Sequence, residues 1–496
     1  MKTSSFQVLS QTEVERIHAA SMEILAEVGI KVPYKKARDL FQEAGAEVDE
    51  QTMAVKLPET LVRWAVDQAP KQFSLFGSDG QFRLDIGPDQ TEPVFAGLGT
   101  PTRMIDLHSG EVRDSTRQDM IDHIILINAC TYIHNSQMDV WPGDIPMSTI
   151  HTEAIWAWAH NSRKPYGMGC YGYLPTWDMM RMMAIVAGGK KELQAKPRFF
   201  AICSVVSPLQ MEQMQAEGLL ICADYGQPVT LAPEAIAGLT APVTLAGLVA
   251  QENAAILAHI ALAQIFRPGA PVLYGTVSTT ANMRHGTVAL GSIETGLITA
   301  ASAQMARYYG LPIRSVGGST ESKREDLQAG FERMGTLLPA VLGGVNLITC
   351  AGTLDSTMLE SHALLLLDDE ICGAAVRLAR GIEVSEETLA VELIKEMGFS
   401  GNYITAEPTA RLFRKELFIP TMFSREPYET WEKEGRKLAI DHARERALDI
   451  LAKHQPLELD PAIERELAAF KASTGERNLQ EYYLYENEEK QDYTAL

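Results

Sequence analysis

Short apolar runs alternate with longer segments of helical periodicity through the middle of the chain. Eight runs lie at positions 93–98, 136–140, 166–170, 199–203, 228–231, 271–276, 312–316 and 346–350. Strands that alternate with helices predict parallel βαβ units, and eight such units close a (β/α)8 TIM barrel. We therefore predict an α/β fold of this class, with any functional site at the C-terminal ends of the strands.

The chain on either side of this pattern predicts additions to the barrel. Residues 1–90 predict an N-terminal cap of helices, near 12–28, 34–44 and 59–69, with a hairpin of strands 73–76 and 82–86. The barrel is assigned to residues 91–382. Residues 383–496 predict a C-terminal helical extension that includes one long amphipathic helix at 432–453. The acidic, tyrosine-rich tail at 478–496 either docks on a neighbouring subunit or is disordered.

Composition narrows the class of protein. The chain has 64 acidic and 44 basic residues, and its formal net charge of −20 argues against nucleic acid or an anionic membrane as partner. No run approaches roughly 18 uninterrupted apolar residues, so no membrane span is expected. Six cysteines without a CxxC pair predict reduced thiols, and the first residues lack the apolar core of a signal peptide. We expect a cytoplasmic enzyme that forms a homo-oligomer.

The strand ends lack the common catalytic motifs. The eleven histidines are dispersed and form no HxH pair, so no metal site is predicted. No lysine stands at the end of a central strand, where Schiff-base chemistry would need it. The sequence also lacks GxSxG, GxxxxGK[ST] and a convincing GxGxxG fingerprint. Conventional nucleophilic and phosphate chemistry therefore have little support, and no catalytic residue is identified.

Aromatic side chains are the feature that the strand ends do offer. They lie within or just after predicted strands, at Phe95, Trp141, Tyr171 and Tyr274. Four aromatic faces that converge on one pocket would form a cage for a quaternary ammonium group through cation–π attraction. Asp139 and Glu234 would add negative potential. The alternative is that these aromatic rings only fill the interior of the barrel.

A ligand that also carries a carboxylate needs a cation or hydroxyl donors to receive it. The candidates are Arg314 in the seventh strand and, in the loop after the sixth, Arg284, His285, Ser278, Thr279 and Thr280. An internal salt bridge deep in the barrel is the alternative role for Arg314.

Several longer stretches resemble one family. They are GGSTESKREDLQAGFERMGTLLPAVLGGVNLITCAGTLDS, LLLLDDEICG and GNYITAEPTARLFRKELFIP, with HAASMEILAEVGIKV and AGLGTPTRMIDLHSGEVR nearer the N-terminus. Together they resemble the trimethylamine methyltransferase superfamily over essentially the whole chain. The resemblance implies a (β/α)8 barrel that passes a methyl group to the cobalt of a corrinoid (cobalamin) held by a separate small protein. No tightly bound cofactor is then expected in this chain.

The founding members of that superfamily carry pyrrolysine in the active site, whereas this sequence contains only the standard twenty residues. The chain is therefore similar to the non-pyrrolysine branch, which implies a quaternary amine as substrate. Glycine betaine, giving dimethylglycine, is the expected substrate, with proline betaine and carnitine as alternatives. From other classes, a metal-dependent barrel hydrolase or lyase and a non-catalytic betaine-binding protein also stay open.

Overall fold

The computed structural model describes residues 6–137, 140–399 and 401–477, and within these ranges eight parallel strands close into a barrel. The strands are β1 Val94–Gly97, β2 Ile133–Gln137, β3 Tyr166–Gly169, β4 Phe199–Val205, β5 Val229–Pro233, β6 Val272–Thr276, β7 Ile313–Val316 and β8 Leu347–Ala351. Each strand pairs with the next in the chain, and β8 pairs with β1. The predicted (β/α)8 barrel is confirmed.

A helix follows each barrel strand and packs outside it. These helices are α1 Arg117–Ala129, α2 Ile150–Asn161, α3 Tyr173–Ala187, α4 Gln213–Asp224, α5 Leu245–Phe266, α6 Ile293–Tyr308, α7 Leu327–Gly343 and α8 His362–Arg380. A short helix, Lys190–Ala195, follows α3, and a 3-10 turn, Met147–Thr149, precedes α2. Side-chain caps define several of the starts, since Thr116, Asp326 and Ser361 each accept a hydrogen bond from a backbone N–H of the first turn.

The second strand lies three residues earlier than predicted, at Ile133–Gln137 rather than 136–140. Its register is fixed by both neighbours, because Phe95 of β1 is opposite Ile133 and Tyr166 of β3 is opposite Ser136. Most of this strand is polar, so a search for apolar runs does not find it.

The hairpin closes the barrel at the N-terminal ends of its strands. Its strands are Phe73–Phe76 and Arg83–Ile86. Leu75 and Ile86 are fully buried and join the apolar cluster inside the barrel, which includes Phe200 and Leu273. In the described residues, packed side chains therefore fill this end of the barrel, and the C-terminal ends of the strands lie on the opposite side.

The first part of the chain covers the outer face of α5. It consists of helices Gln11–Glu27, Lys35–Glu43 and Glu59–Gln68 and a sheet of Ile30–Lys31, Glu47–Asp49 and Ala54–Lys56. By length and composition, α5 is a candidate membrane span, but 78% of its most apolar window is buried inside the protein. The apolar surface of α5 is therefore explained by packing against the N-terminal helices and the barrel.

Two small sheets rise above the strand ends. One contains Arg103–Ile105, Val112–Asp114, Thr353–Leu354 and Leu359–Glu360, and the other contains Ile236–Ala237, Thr279–Asn282 and Thr287–Ala289. Both are built from loops that follow barrel strands. They raise the wall around the open end of the barrel.

The C-terminal part of the chain is helical, but the predicted single helix at 432–453 is wrong. The helices are Glu386–Leu389, Val391–Met397, Glu407–Glu416, Tyr428–Lys433, Ala439–Lys453 and Pro461–Gly475, with a 3-10 turn at Tyr403–Thr405. Gly435 and Arg436 have left-handed backbone conformations, with φ of 93° and 58°, which end the helix at this point. The tail at 478–496 lies outside the described residues.

Candidate active site

A cavity of about 1050 Å³ opens at the C-terminal end of the barrel. Its wall is formed by side chains that point inward from the strands, among them Gln137, Ile202, Ser204 and Arg314. Its rim is formed by the loops after the strands, which contribute Leu239, His285, Lys323 and Met358. The cavity therefore lies where active sites of (β/α)8 barrels are found.

Glycines on the inward face of β3 let neighbouring groups approach the strand closely. A Cβ at Gly167 would lie 2.8 Å from the carbonyl oxygen of Phe200, and a Cβ at Gly169 would lie 2.7 Å from the Tyr171 ring. The ring of Tyr171 thus folds back over Gly169 and lines the cavity. An alanine at either position would displace one of these neighbours.

Trp141 supports the Tyr171 ring from behind. The two ring centroids are 5.8 Å apart and the planes meet at 75°, an edge-to-face contact. The backbone of Trp141 is held by Pro101, whose carbonyl accepts from the Trp141 N–H at 2.9 Å. Trp141 is half-buried, and the cavity wall is formed by Tyr171 instead.

Arg314 points into the barrel. The next residue, Ser315, points outward, because its hydroxyl lies 2.8 Å from that of Thr299 in α6. Alternation along a strand therefore directs Arg314 inward, where it is 2% exposed and lines the cavity. Val316, the next inward residue, packs with other apolar side chains at the strand ends, so Arg314 lies roughly 6–7 Å deeper.

Glu234 and His285 lie at the rim, and both are exposed. Glu234 accepts a hydrogen bond from the Ser204 hydroxyl at 3.1 Å. The loop that carries Glu234 is held by Ser278, whose hydroxyl accepts from the Ala235 N–H at 3.0 Å. His285 lies in the turn between the strands Thr279–Asn282 and Thr287–Ala289.

Phe95 and Tyr274 do not reach the cavity, because both occupy outward positions on their strands. Phe95 is fully buried in the layer between the barrel and its helices, and it lies between Val94 and Ala96, which point inward. Tyr274 also points outward, and its hydroxyl donates to Asn253 of α5 at 3.0 Å. The structure therefore does not assemble the predicted cage of four aromatic rings.

The remaining sequence candidates occupy different places. Thr279 lines the cavity, and its hydroxyl donates to the Ala289 carbonyl at 2.8 Å. The hydroxyls of Thr280 and Ser292 form a hydrogen bond at 3.1 Å, and Arg284 is exposed beside His285. Asp139 lies outside the described residues.

The loop after β8 forms another part of the rim. Asp355, Ser356 and Thr357 have φ of 50°, 50° and 72°, a left-handed conformation that is strained by about 1–3 kcal/mol for each such residue. The loop after β7 holds it, since the Ser356 hydroxyl donates to Glu321 at 2.5 Å and Lys323 pairs with Asp355 at 2.9 Å. The polar residues that follow the strand are a signal that the sequence does contain. Their left-handed backbone conformation could not be predicted from it.

Two buried carboxyl groups support the strand ends from outside the barrel. Asp368 of α8 accepts from Arg333 Nε at 2.7 Å and from the Gly352 N–H at 2.8 Å, which anchors the end of β8. Burial raises the pKa of Asp368 to about 6, against the opposing effect of the Arg333 guanidinium. Glu252 of α5 accepts from the Thr276 hydroxyl at 2.9 Å, and burial raises its pKa to about 7.

The arrangement offers binding groups of both signs. A guanidinium lies deep in the cavity, whereas an aromatic ring and carboxylates lie nearer the mouth. In the part of the chain that the structure describes, no group of three or more His, Cys, Asp or Glu side chains could hold a metal ion. The geometry therefore suits a small ligand with separated charges.

The model of the trimethylamine methyltransferase (MTTB) family matches residues 1–476. The chain belongs to this family. The family resemblance of the sequence motifs is thereby confirmed, and the protein is a methyltransferase by that membership.

Relatives in the MTTB family match over nearly their whole length. The chain is 35% identical over 473 residues to the glycine betaine methyltransferase of Desulfitobacterium hafniense strain Y51, covering 95% of this chain and 97% of the relative. It is 34% identical over 463 residues to the trimethylamine methyltransferase MttB of Methanosarcina barkeri strain Fusaro, with 92% and 93% covered. Among solved structures, it is similar to a hydroxylamine complex of MtmB at a TM-score of 0.49 and 12% identity, covering 90% of this chain and 96% of that one.

Proposed function

We propose that this MTTB-family protein transfers a methyl group from glycine betaine to the Co(I) of a corrinoid carried by a separate protein, with dimethylglycine as product. The observation that carries the proposal is the placing of Arg314 deep in the cavity and of Tyr171 and Glu234 nearer its mouth. Betaine is a zwitterion, so it needs a cation at one end of its site and an aromatic or acidic surface at the other.

This placing sets the orientation of the substrate. The carboxylate would bind to the Arg314 guanidinium, where low exposure strengthens a charge-assisted hydrogen bond. The trimethylammonium group would then lie against the Tyr171 ring and point its methyl groups toward the mouth. The end of the substrate that reacts is thereby the end that a second protein can reach.

The size of the cavity supports a second reactant. A volume of about 1050 Å³ is at the upper end of the range for pockets that hold drug-sized ligands, so a small amine would fill only part of it. Large apolar side chains also stand exposed around the mouth, including Leu239, Met283 and Met358. An apolar rim around a wide opening suits the docking of a protein that brings a flat macrocycle to the mouth.

The chemistry needs little from acid–base residues. The bond between nitrogen and one methyl carbon breaks, its electron pair stays on nitrogen, and the methyl carbon bonds to Co(I), which supplies the nucleophilic electron pair. The leaving group is a neutral tertiary amine, so no general acid has to protonate it. The residues of this chain bind the carboxylate, align one N–CH3 bond with the mouth and exclude water, which is catalysis by orientation.

The mouth is only weakly acidic, and this suits the proposed reaction. Positive charge on nitrogen disperses as the methyl group leaves, so a strong anionic trap would stabilise the bound substrate more than the transition state. The Glu234 carboxylate is exposed and also accepts a hydrogen bond from the Ser204 hydroxyl, so it attracts a cation only weakly. The aromatic face of Tyr171 then contributes attraction without a full opposite charge.

The proposal is tested by mixing the purified chain with cob(I)alamin, free or on a corrinoid protein, and each candidate amine. We expect methylcobalamin to form with glycine betaine, and a faster reaction with proline betaine or carnitine would reassign the substrate. Reaction with trimethylamine but with no quaternary amine would refute the proposal. Betaine binding without any methyl transfer would indicate a binding protein, and amine cleavage that requires an added metal would indicate a hydrolase or lyase.

A further inference from the structure

We propose that a second cavity, at the closed end of the barrel, binds a small anion that carries a diphosphate group. This basic cavity has a volume of about 310 Å³ and lies between the last turns of α8 and the helix Glu407–Glu416 that follows in the C-terminal part of the chain. Its volume is at the lower end of the range for pockets that bind small molecules. It is therefore large enough for a diphosphate and for part of a group attached to it.

The lining of the basic cavity carries charge of one sign. Among the described residues that line it, four are basic and none is acidic. They are Arg377 and Arg380 of α8 and Arg414 and Lys415 of the helix Glu407–Glu416. The whole chain has a formal net charge of −20, so its composition does not predict such a cluster. Three guanidinium groups and one ammonium group suit an anion with several charges and phosphate oxygens, which accept paired hydrogen bonds from arginine.

The two arginines of α8 are held in place without a ligand. Arg377 Nε donates to the Glu416 carbonyl at 2.6 Å, and its Nη1 donates to the Gly381 carbonyl at 2.9 Å. Arg377 Nη2 also lies 3.5 Å from the Glu416 carboxylate, and Arg380 pairs with Glu92 at 2.7 Å. Neither of these two carboxylates lines the basic cavity. Because the guanidinium groups are already ordered, binding of an anion costs less side-chain entropy.

The two cations from the C-terminal helix are more available. Arg414 has no carboxylate partner among the described residues, and its guanidinium lies over the Phe413 ring at 4.8 Å from the centroid. Lys415 pairs with Glu383 at 3.0 Å, but both side chains are more than half exposed. Exposed ion pairs contribute little to stability, so a multiply charged ligand can replace this partner.

Two aromatic rings line the basic cavity beside these cations. A Cβ at Gly373 of α8 would lie 2.8 Å from Cζ of Tyr132 and 2.8 Å from Cε2 of Phe418, so both rings pack closely against this glycine. Both rings are half-buried and line the cavity. A nucleobase or a ribose attached to the diphosphate would find an aromatic and apolar surface here.

The basic cavity is separate from the proposed substrate site. Each helix of a (β/α)8 barrel runs back from the C-terminal end of one strand to the N-terminal end of the next, so α8 ends at the closed end of the barrel. Tyr132, which directly precedes β2, lies at the same end. A bound anion would therefore leave the mouth of the barrel open, and it would join α8 to the helix Glu407–Glu416.

Isothermal titration calorimetry on the full chain with ADP, inorganic pyrophosphate and adenosine tests the proposal. We expect ADP and pyrophosphate to bind with an affinity that falls as salt is added, and adenosine not to bind, because it lacks the diphosphate. Tighter binding of ADP than of pyrophosphate would support contact of the nucleoside with the aromatic rings, whereas equal affinities would support recognition of the diphosphate alone. Failure of both diphosphates to bind would overturn the proposal.

A pair of matched double variants locates the binding. Arg414→Gln with Lys415→Gln should weaken ADP binding by about a hundredfold or more, because two charge-assisted hydrogen bonds are lost. The control, Arg411→Gln with Lys395→Gln, removes the same charge from side chains that do not line the basic cavity. Lys395 and Lys415 are also alike, with side chains 64% and 60% exposed and one glutamate partner each. Equal weakening by the two variants would overturn the proposal.

Two further readouts do not depend on any variant. In hydrogen exchange, ADP should increase the protection of the amides of 407–416, and unchanged protection there would contradict the proposed bridge between the two helices. Saturating betaine should leave the affinity for ADP unchanged. Competition between them would place the anion at Arg314 instead and would also overturn the proposal. All these measurements report binding of the anion, so their outcome is independent of whether the chain transfers methyl groups.

Discussion

Substitution of Arg314 by glutamine tests the proposed substrate orientation most directly. The change removes the positive charge but keeps a hydrogen-bond donor inside the cavity. The guanidinium is 2% exposed, so its contact with a carboxylate would be shielded from water. The free energy of an exposed ion pair, about 0–1 kcal/mol, therefore does not apply. The value used instead is that of a hydrogen bond to a charged group, about 1.5–3 kcal/mol. This corresponds to a loss of about ten- to a hundredfold in kcat/KM for betaine.

The assay compares two substrates that differ in the carboxylate. Initial rates of methylcobalamin formation are measured with glycine betaine and with tetramethylammonium, which has a quaternary nitrogen but no carboxylate. We expect Arg314→Gln to lower kcat/KM for betaine while leaving that for tetramethylammonium nearly unchanged. The ratio of the two values isolates the contact with the carboxylate from any general damage to the enzyme.

Arg198→Gln is the matched control. Arg198 is also buried, at 7% exposure, but its guanidinium donates to the Val186 carbonyl at 3.1 Å and lies outside the cavity lining. It should lower stability without changing the ratio of the two substrates. Equal losses for betaine and tetramethylammonium in Arg314→Gln, or no loss for either, would refute the assignment of Arg314 to the carboxylate.

Other substitutions test the cavity wall and its supports. Gly169→Ala would place a Cβ 2.7 Å from the Tyr171 ring and displace the ring. Because this ring would contact the substrate, the rate of methyl transfer should fall about tenfold. Asp368→Asn would leave the Arg333 guanidinium buried without its anion, so urea unfolding should show a loss of about 3–5 kcal/mol. Glu252→Gln tests pH dependence. The pKa of Glu252 is raised to about 7 in the folded protein. Its contribution to the free energy of unfolding is therefore complete below about pH 4.5 and is lost as pH rises through 7. The Glu252→Gln variant should not show this loss of stability, which amounts to about 3 kcal/mol between pH 4.5 and pH 7.

The first two of these changes have control variants, and the third is checked by a comparison at two pH values. Gly330→Ala, where nothing lies within 4 Å of the added Cβ, should leave methyl transfer unchanged, and an equal loss would mean that the cavity wall is not the cause. Lys35→Ala breaks an exposed ion pair with Asp39 and should change stability by less than about 1 kcal/mol. If the stability of Glu252→Gln relative to the unmodified chain is the same at pH 5 and pH 8, the assigned titration is wrong.

The candidate site could be predicted in part. The sequence placed Arg314 in a strand, Tyr171 at a strand end, and Glu234 and His285 in the loops that follow strands, and these four line one cavity. Phe95 and Tyr274 were placed in the correct strands but on the wrong side. Their strands are short and apolar on both faces, so the sequence shows no alternation that separates inward from outward positions.

The sequence by itself determined the barrel, because apolar runs and helical periodicity are local patterns that recur along the chain. Only the tertiary structure decided the position of β2, whose polar residues are placed by pairing with β1 and β3. It also decided the break at Gly435, where the backbone is left-handed, and the left-handed rim at 355–357, which the loop after β7 holds. Which side chains meet in the cavity is set by strand register around a closed sheet. That register depends on all eight strands of the described barrel together and is therefore invisible in any one segment.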